Sequence, residues 1–205
     1  MKLSRQRGLR RDSSRPGGFD FTLHMRRLSD DMVHRLPELR HIDLSRVAIS
    51  FSQTRKAVDH GLYASLTPLR FSGGGRQTVR RGRTWTVQRL VDPLGREMLY
   101  LLTFYLPRFL DQGFRHKLTT VVHELWHVSP RFDGDLRRYG GRCYAHSASQ
   151  KQYDAKVERL VDRWLSLDPP ASVYDFLRYD FRQLVGCYGK VYGVKIPAPK
   201  LIPAG

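Results

Sequence analysis

Residues 98–128 read MLYLLTFYLPRFLDQGFRHKLTTVVHELWHV, and the apolar period changes partway through them. Over residues 98–106 both strand faces are apolar, the pattern of a central, fully buried strand. After Pro107 the period becomes 3.6. Phe114, Leu118, Val121, Val122 and Leu125 form one stripe, which predicts a helix over 114–128 packed against a sheet.

Outward from this centre, Met25, Leu28, Met32, Val33 and Leu36 recur at helical spacing and Pro37 closes the segment. Three further strand-like stretches follow. Val47, Ile49 and Phe51 alternate with small or polar residues. Residues 62–71 are weaker, and Pro68 suggests an edge or bulge. Residues 84–91 form the last of the three. Downstream, Tyr153, Val157, Leu160, Val161 and Trp164 predict a second long helix, with Ser147 and Gln150 spaced as a capping box. A third helix is expected over about 173–185, with Gly186 as its stop. The last twenty residues carry Pro197, Pro199 and Pro203 and read as extended. Helix, four strands and then helices make an α+β domain over 19–205 with one four-stranded, mostly antiparallel or mixed sheet.

Residues 1–18 hold six basic side chains against Asp12 and end in Pro16-Gly17-Gly18, the composition of a disordered basic tail. Across 205 residues, 36 Lys+Arg against 19 Asp+Glu give a net charge of +17. That balance suggests a polyanionic partner, although an arginine-rich composition alone would produce it too. The longest apolar stretch, 98–106, falls far short of the ~20 residues that span a bilayer, so no membrane association is expected. The first residues carry charge without an apolar segment, and Cys143 and Cys187 cannot build a disulfide framework. A reducing, cytoplasmic setting is the expectation.

Within the predicted helix, His123-Glu124-Leu125-Trp126-His127 is an HExxH motif. Residues i and i+4 share a helix face, so both imidazoles can reach one metal ion while the carboxylate stands beside it. With eight His and four Glu in the chain, chance would produce the pattern on the order of 0.006 times. Catalytic zinc takes three protein ligands and leaves one position for water. The third ligand must come from outside the helix. His146 is the only histidine after His127 and sits just before the next helix, while Asp133, Glu158 and Cys143 are alternatives. Tyr139, Tyr144, Arg138 and Arg142 lie in the loop before His146, where one could stabilise an oxyanion.

The stretch VVHELWHVSPRFDGDLRRYGGRCYAHS, residues 121–147, with strands before it, resembles the zincin metallopeptidases, and among them the SprT-like and phage-type metallopeptidases. The resemblance implies a zincin-like fold and one Zn2+ ion held by His123, His127 and His146. It implies Glu124 as the catalytic general base, and a protein or peptide substrate. The four-cysteine ribbon of some SprT-like proteins is missing, since only Cys187 lies in the tail.

Arg76, Arg80, Arg81, Arg83 and Arg89 surround Trp85, with no acid from 76 to 91. On a hairpin they would form a basic ribbon able to contact nucleic acid, or a merely solvated one. The competing functional expectation is therefore a basic nucleic-acid-binding protein with a structural or degenerate zinc site. A metal-dependent hydrolase of a non-peptide bond is a third.

Overall fold

The computed structural model describes residues 17–54, 61–138 and 150–204. In chain order they form β1 (Phe19–Asp20), α1 (Phe21–Arg35), β2 (Val47–Gln53), β3 (Ala64–Pro68), β4 (Gln77–Arg80), β5 (Arg83–Val87), β6 (Tyr100–Leu106), α2 (Phe114–Trp126), α3 (Gln150–Ser166), α4 (Ala171–Tyr174), α5 (Phe181–Tyr188), β7 (Val191–Tyr192) and β8 (Leu201–Pro203). The class is α+β. None of the described helices is long and apolar enough to cross a membrane.

β6 is central, as its two apolar faces require. It pairs in parallel with β2 and antiparallel with β3. Tyr100, Leu102, Phe104 and Leu106 point into the main core with the buried faces of α1, α2 and α3. Leu101 points the other way, into a small cluster with Ala48, Leu69 and Met98 that Val87, Leu90 and Ile196 cover. Both faces are thus removed from water, which is where an unbroken apolar strand is most stable. Pro68 ends the edge strand β3, where a missing N–H disturbs no internal ladder.

The expected single four-stranded sheet is replaced by three small ones. Residues 83–87 do not join β6, whose two edges β2 and β3 already occupy. They pair instead with β4 and β8 in a separate antiparallel sheet, and β1 pairs with β7. The side chains explain the separation. β5 reads RTWTV, too polar to be enclosed on both faces beside β6. Arg81 and Gly82, at φ 51° and 72°, form a two-residue turn of the kind that joins strands of native twist.

The helix expected over 173–185 is also revised. The chain forms short α4, a 3-10 turn (Asp175–Arg178) and then α5. Asp180 interrupts it by capping α5: its side chain accepts the Gln183 N–H while the Gln183 side chain accepts the Asp180 N–H. Gly186 lies inside α5, and Gly189, at φ 81°, ends it. Buried Lys117 of α2 ties this segment down. Its Nζ donates to the carbonyls of Leu177 (2.9 Å) and Tyr179 (2.8 Å), and burial pushes its pKa down to about 8.

The proline-containing C-terminus straps the sheets together. Val194 accepts the Phe51 N–H on β2 and donates its own N–H to Thr22 Oγ1. Lys200 accepts the Gln88 N–H just before β8 joins β5. Residues 1–16 of the expected basic tail lie outside the described residues.

Candidate metal centre

The last turn of α2 carries the motif. Leu118, Val121, Val122 and Leu125 are fully buried and anchor the helix. The half-buried His123 and His127 turn away from that stripe, so burying one face presents the other. The helix ends at Trp126, two residues short of the expected 128. His127 nevertheless keeps helical angles (φ −69°, ψ −16°) as the C-cap, which preserves the i, i+4 relation. The two Nε2 atoms approach to 3.1 Å and the rings meet edge to face. A tetrahedral zinc ion with nitrogen bonds of 2.0–2.1 Å sets its ligand nitrogens about 3.3 Å apart, so this pair fits one metal.

Glu124 is buried between α2 and β3 and accepts the Leu66 backbone N–H. Burial pushes its carboxyl up to about 7, and the Leu66 hydrogen bond opposes this only in part. A cleft of about 260 Å³ opens beside His123 and Glu124, walled by Leu62, Tyr63, Thr119 and Thr120.

Tyr153 belongs to the centre as well, although its place in an apolar stripe reads as core. Its hydroxyl donates to the His123 carbonyl (3.3 Å) and lies 3.5 Å from both ring nitrogens of His127. The usable signal in the sequence is the hydroxyl itself: a buried tyrosine needs a partner that phenylalanine would not.

The chain leaving α2 is pinned. Arg137 donates its backbone N–H to the His127 carbonyl (2.7 Å) and Nε to the Trp126 carbonyl (2.8 Å), and its guanidinium stacks 3.9 Å over the Trp126 ring. These bonds satisfy carbonyls that a helix end leaves open. Buried Asp135 is drawn upward by burial, yet the Arg138 fork and the Gly73 and Leu136 amides hold its carboxyl below the usual range. Tyr100 donates to the Asp135 carbonyl and accepts the Gly134 N–H, and burial raises its phenol to about 12.

Two of the alternative third ligands are engaged elsewhere. Asp133 accepts from Arg131 Nε (3.0 Å) and the Asp135 N–H (3.2 Å). Glu158 accepts from Arg115 (2.7 Å) and Thr119 (2.8 Å). Among the described residues no group of three His, Cys, Asp or Glu is gathered to hold a metal. His146, Tyr139, Arg142, Cys143, Tyr144 and Ser147 lie outside the described residues. Arg138, the fourth side chain expected to face an oxyanion, is the one bound to Asp135.

The arginines of the second sheet divide into two groups. Arg76 and Arg89 reach Glu97 at 3.3 and 3.2 Å, joining Arg70 at 2.7 Å. Hydrogen bonding by Arg70 holds the Glu97 carboxyl below its ordinary value. Arg80, Arg81 and Arg83 are exposed at the hairpin tip, and Trp85 is half-buried. No family model, curated protein or solved structure matches the chain.

Proposed function

We propose that the chain is a zinc-dependent metallopeptidase of the zincin, SprT-like kind, cleaving protein or peptide substrates. The observation that carries this reading is the 3.1 Å convergence of the His123 and His127 Nε2 atoms beside a buried carboxylate. In this reading His123, His127 and His146 hold the ion. Bound there, zinc supplies Lewis-acid polarisation of a water molecule and of the scissile carbonyl.

The remaining work falls to the chain's own groups. Glu124 accepts a proton from the attacking water and returns it to the leaving amine nitrogen as the C–N bond breaks. A carboxyl raised to about 7 is matched to both transfers near neutral pH. Tyr153 steadies His123 through its carbonyl and lies against the His127 ring. Tyr144 and Arg142 are the candidates for stabilising the oxyanion. Leu62, Tyr63, Thr119 and Thr120 offer a mixed apolar and hydroxylic wall to substrate. A purely structural zinc site has no use for a carboxylate in the Glu124 position, which disfavours the degenerate-site alternative.

The test is cleavage of a mixed peptide library by zinc-loaded protein, with Glu124→Gln as the comparison. The variant should retain zinc and lose about 10²-fold or more in rate. Zinc-loaded wild type without cleavage, or a variant as active as wild type, would refute the proposal.

A further inference from the structure

We propose that the β4–β5–β8 sheet is a binding surface for single-stranded nucleic acid, in which Arg80, Arg81 and Arg83 contact phosphates and Trp85 stacks on a base. The surface is separate from the α2 centre, and the inference does not depend on the zinc reading.

The register carries the argument. Arg80 and Arg83 are directly paired across β4 and β5. Like charges in that relation repel and weaken a hairpin. Arg81 adds a third guanidinium and sits at φ 51°, a conformation that turns normally give to Gly, Asn or Asp. Three costs to stability thus fall at one tip. No acid relieves them: among the described residues none of the three arginines has a carboxylate within ion-pairing distance, and β4, β5 and β8 contain no Asp or Glu. A few residues away the opposite arrangement holds, with Arg70, Arg76 and Arg89 all served by Glu97. Unneutralised guanidinium groups in so small an area are complementary to a polyanion, and their planar forks suit phosphate oxygens.

The strand period selects the nucleic acid. Arg83 and Trp85 are two residues apart on β5 and project from the same face, about 7 Å apart along the strand. The Arg80↔Arg83, Thr78↔Trp85 and Trp85↔Pro203 pairs put Arg80, Thr78 and Pro203 on that face too. Val87, two residues further along β5, shares that face and covers the Ala48, Leu69 and Met98 cluster, so the open part of the face is its tip end, with Arg80, Arg83 and the half-buried Trp85. Cationic groups beside an aromatic ring on a sheet bind unpaired bases, which can splay and stack; a duplex offers phosphates but no free base face.

The experiment measures fluorescence anisotropy of a labelled oligo-dT of about 20 nucleotides with the full chain, between about 50 and 300 mM NaCl. Two variants are compared with wild type: Arg80→Gln, Arg81→Gln and Arg83→Gln combined, and Trp85→Leu. Each lost phosphate contact removes roughly 0.7 from the slope of log K against log salt, so the triple variant should flatten it by about 2. Its melting temperature should be unchanged or higher, because the Arg80–Arg83 repulsion is gone. Trp85→Leu should weaken binding about tenfold while leaving the slope intact, since stacking releases no counterions. Absence of wild-type binding at about 50 mM salt, or a triple variant with the wild-type slope, overturns the proposal. A duplex of equal length bound as tightly, with Trp85→Leu neutral in effect, overturns the assignment to single strands.

Discussion

Replacing Glu124 by Gln separates the cost of burying a carboxylate from its role in chemistry. In the folded chain the Glu124 carboxyl titrates at about 7, against an ordinary value of 4.5, because burial disfavours its charged form. Between those values the folded state keeps a proton that the unfolded state has released. The contribution of this group to stability is therefore complete below pH 4.5 and is lost as pH rises to about 7. The span corresponds to about 3 kcal/mol. Glutamine is neutral throughout and keeps an oxygen for the Leu66 N–H. Metal-free Glu124→Gln should therefore match wild type near pH 4.5 and exceed it by about 3 kcal/mol at about pH 8, with most of the gap opening below pH 7. Urea unfolding followed by far-UV circular dichroism in the presence of EDTA gives the measurement, and the m-values should agree. A gap of constant size across this range, or none at about pH 8, would refute the assignment of the raised pKa to burial of this side chain.

Three other outcomes are expected. After dialysis, His146→Ala should lose zinc while Asp133→Ala keeps it, because Asp133 is bound to Arg131 and the Asp135 amide; metal analysis showing the reverse would move the third ligand to Asp133. Tyr153→Phe should weaken zinc binding by about 10-fold or more in a chelator competition, with little change in fold, since it removes only the hydroxyl that supports His123 and abuts His127. Glu97→Gln should lower stability by about 2 kcal/mol or more, because Arg70, itself only 9% exposed, loses its charged partner; thermal melts matching wild type would show that the Glu97 cluster carries no net stability.

The central strand, the main helices and the HExxH pair were readable along the chain because each depends on local period. Alternation or its absence reports how many faces of a strand are covered, and a spacing of four places two imidazoles on one helix face wherever that helix packs. Residues 100–106, 114–126 and 123–127 are of this kind. The failures are non-local. Nothing in RTWTV states that β2 and β3 already flank β6, so residues 84–91 read as a strand of one four-stranded sheet, whereas the strand formed, 83–87, belongs to another with β4 and β8. The break before α5 was legible in Asp180 and Gln183, a capping pair whose local hydrogen bonds outweigh the continuity of an apolar stripe.

At the candidate site the same division holds. The residue types and their spacing along α2 belong to the sequence, since helical geometry alone turns them to one side. The burial of Glu124 against Leu66, the arrival of the Tyr153 hydroxyl from α3, and the diversion of Asp133 and Glu158 to other partners were decided by packing between segments distant in the chain. The arginines show it most simply. Arg76, Arg80, Arg81, Arg83 and Arg89 are equivalent as letters, and only folding brings Glu97 to two of them and to none of the other three, because an ion pair requires proximity and sequence separation does not measure distance.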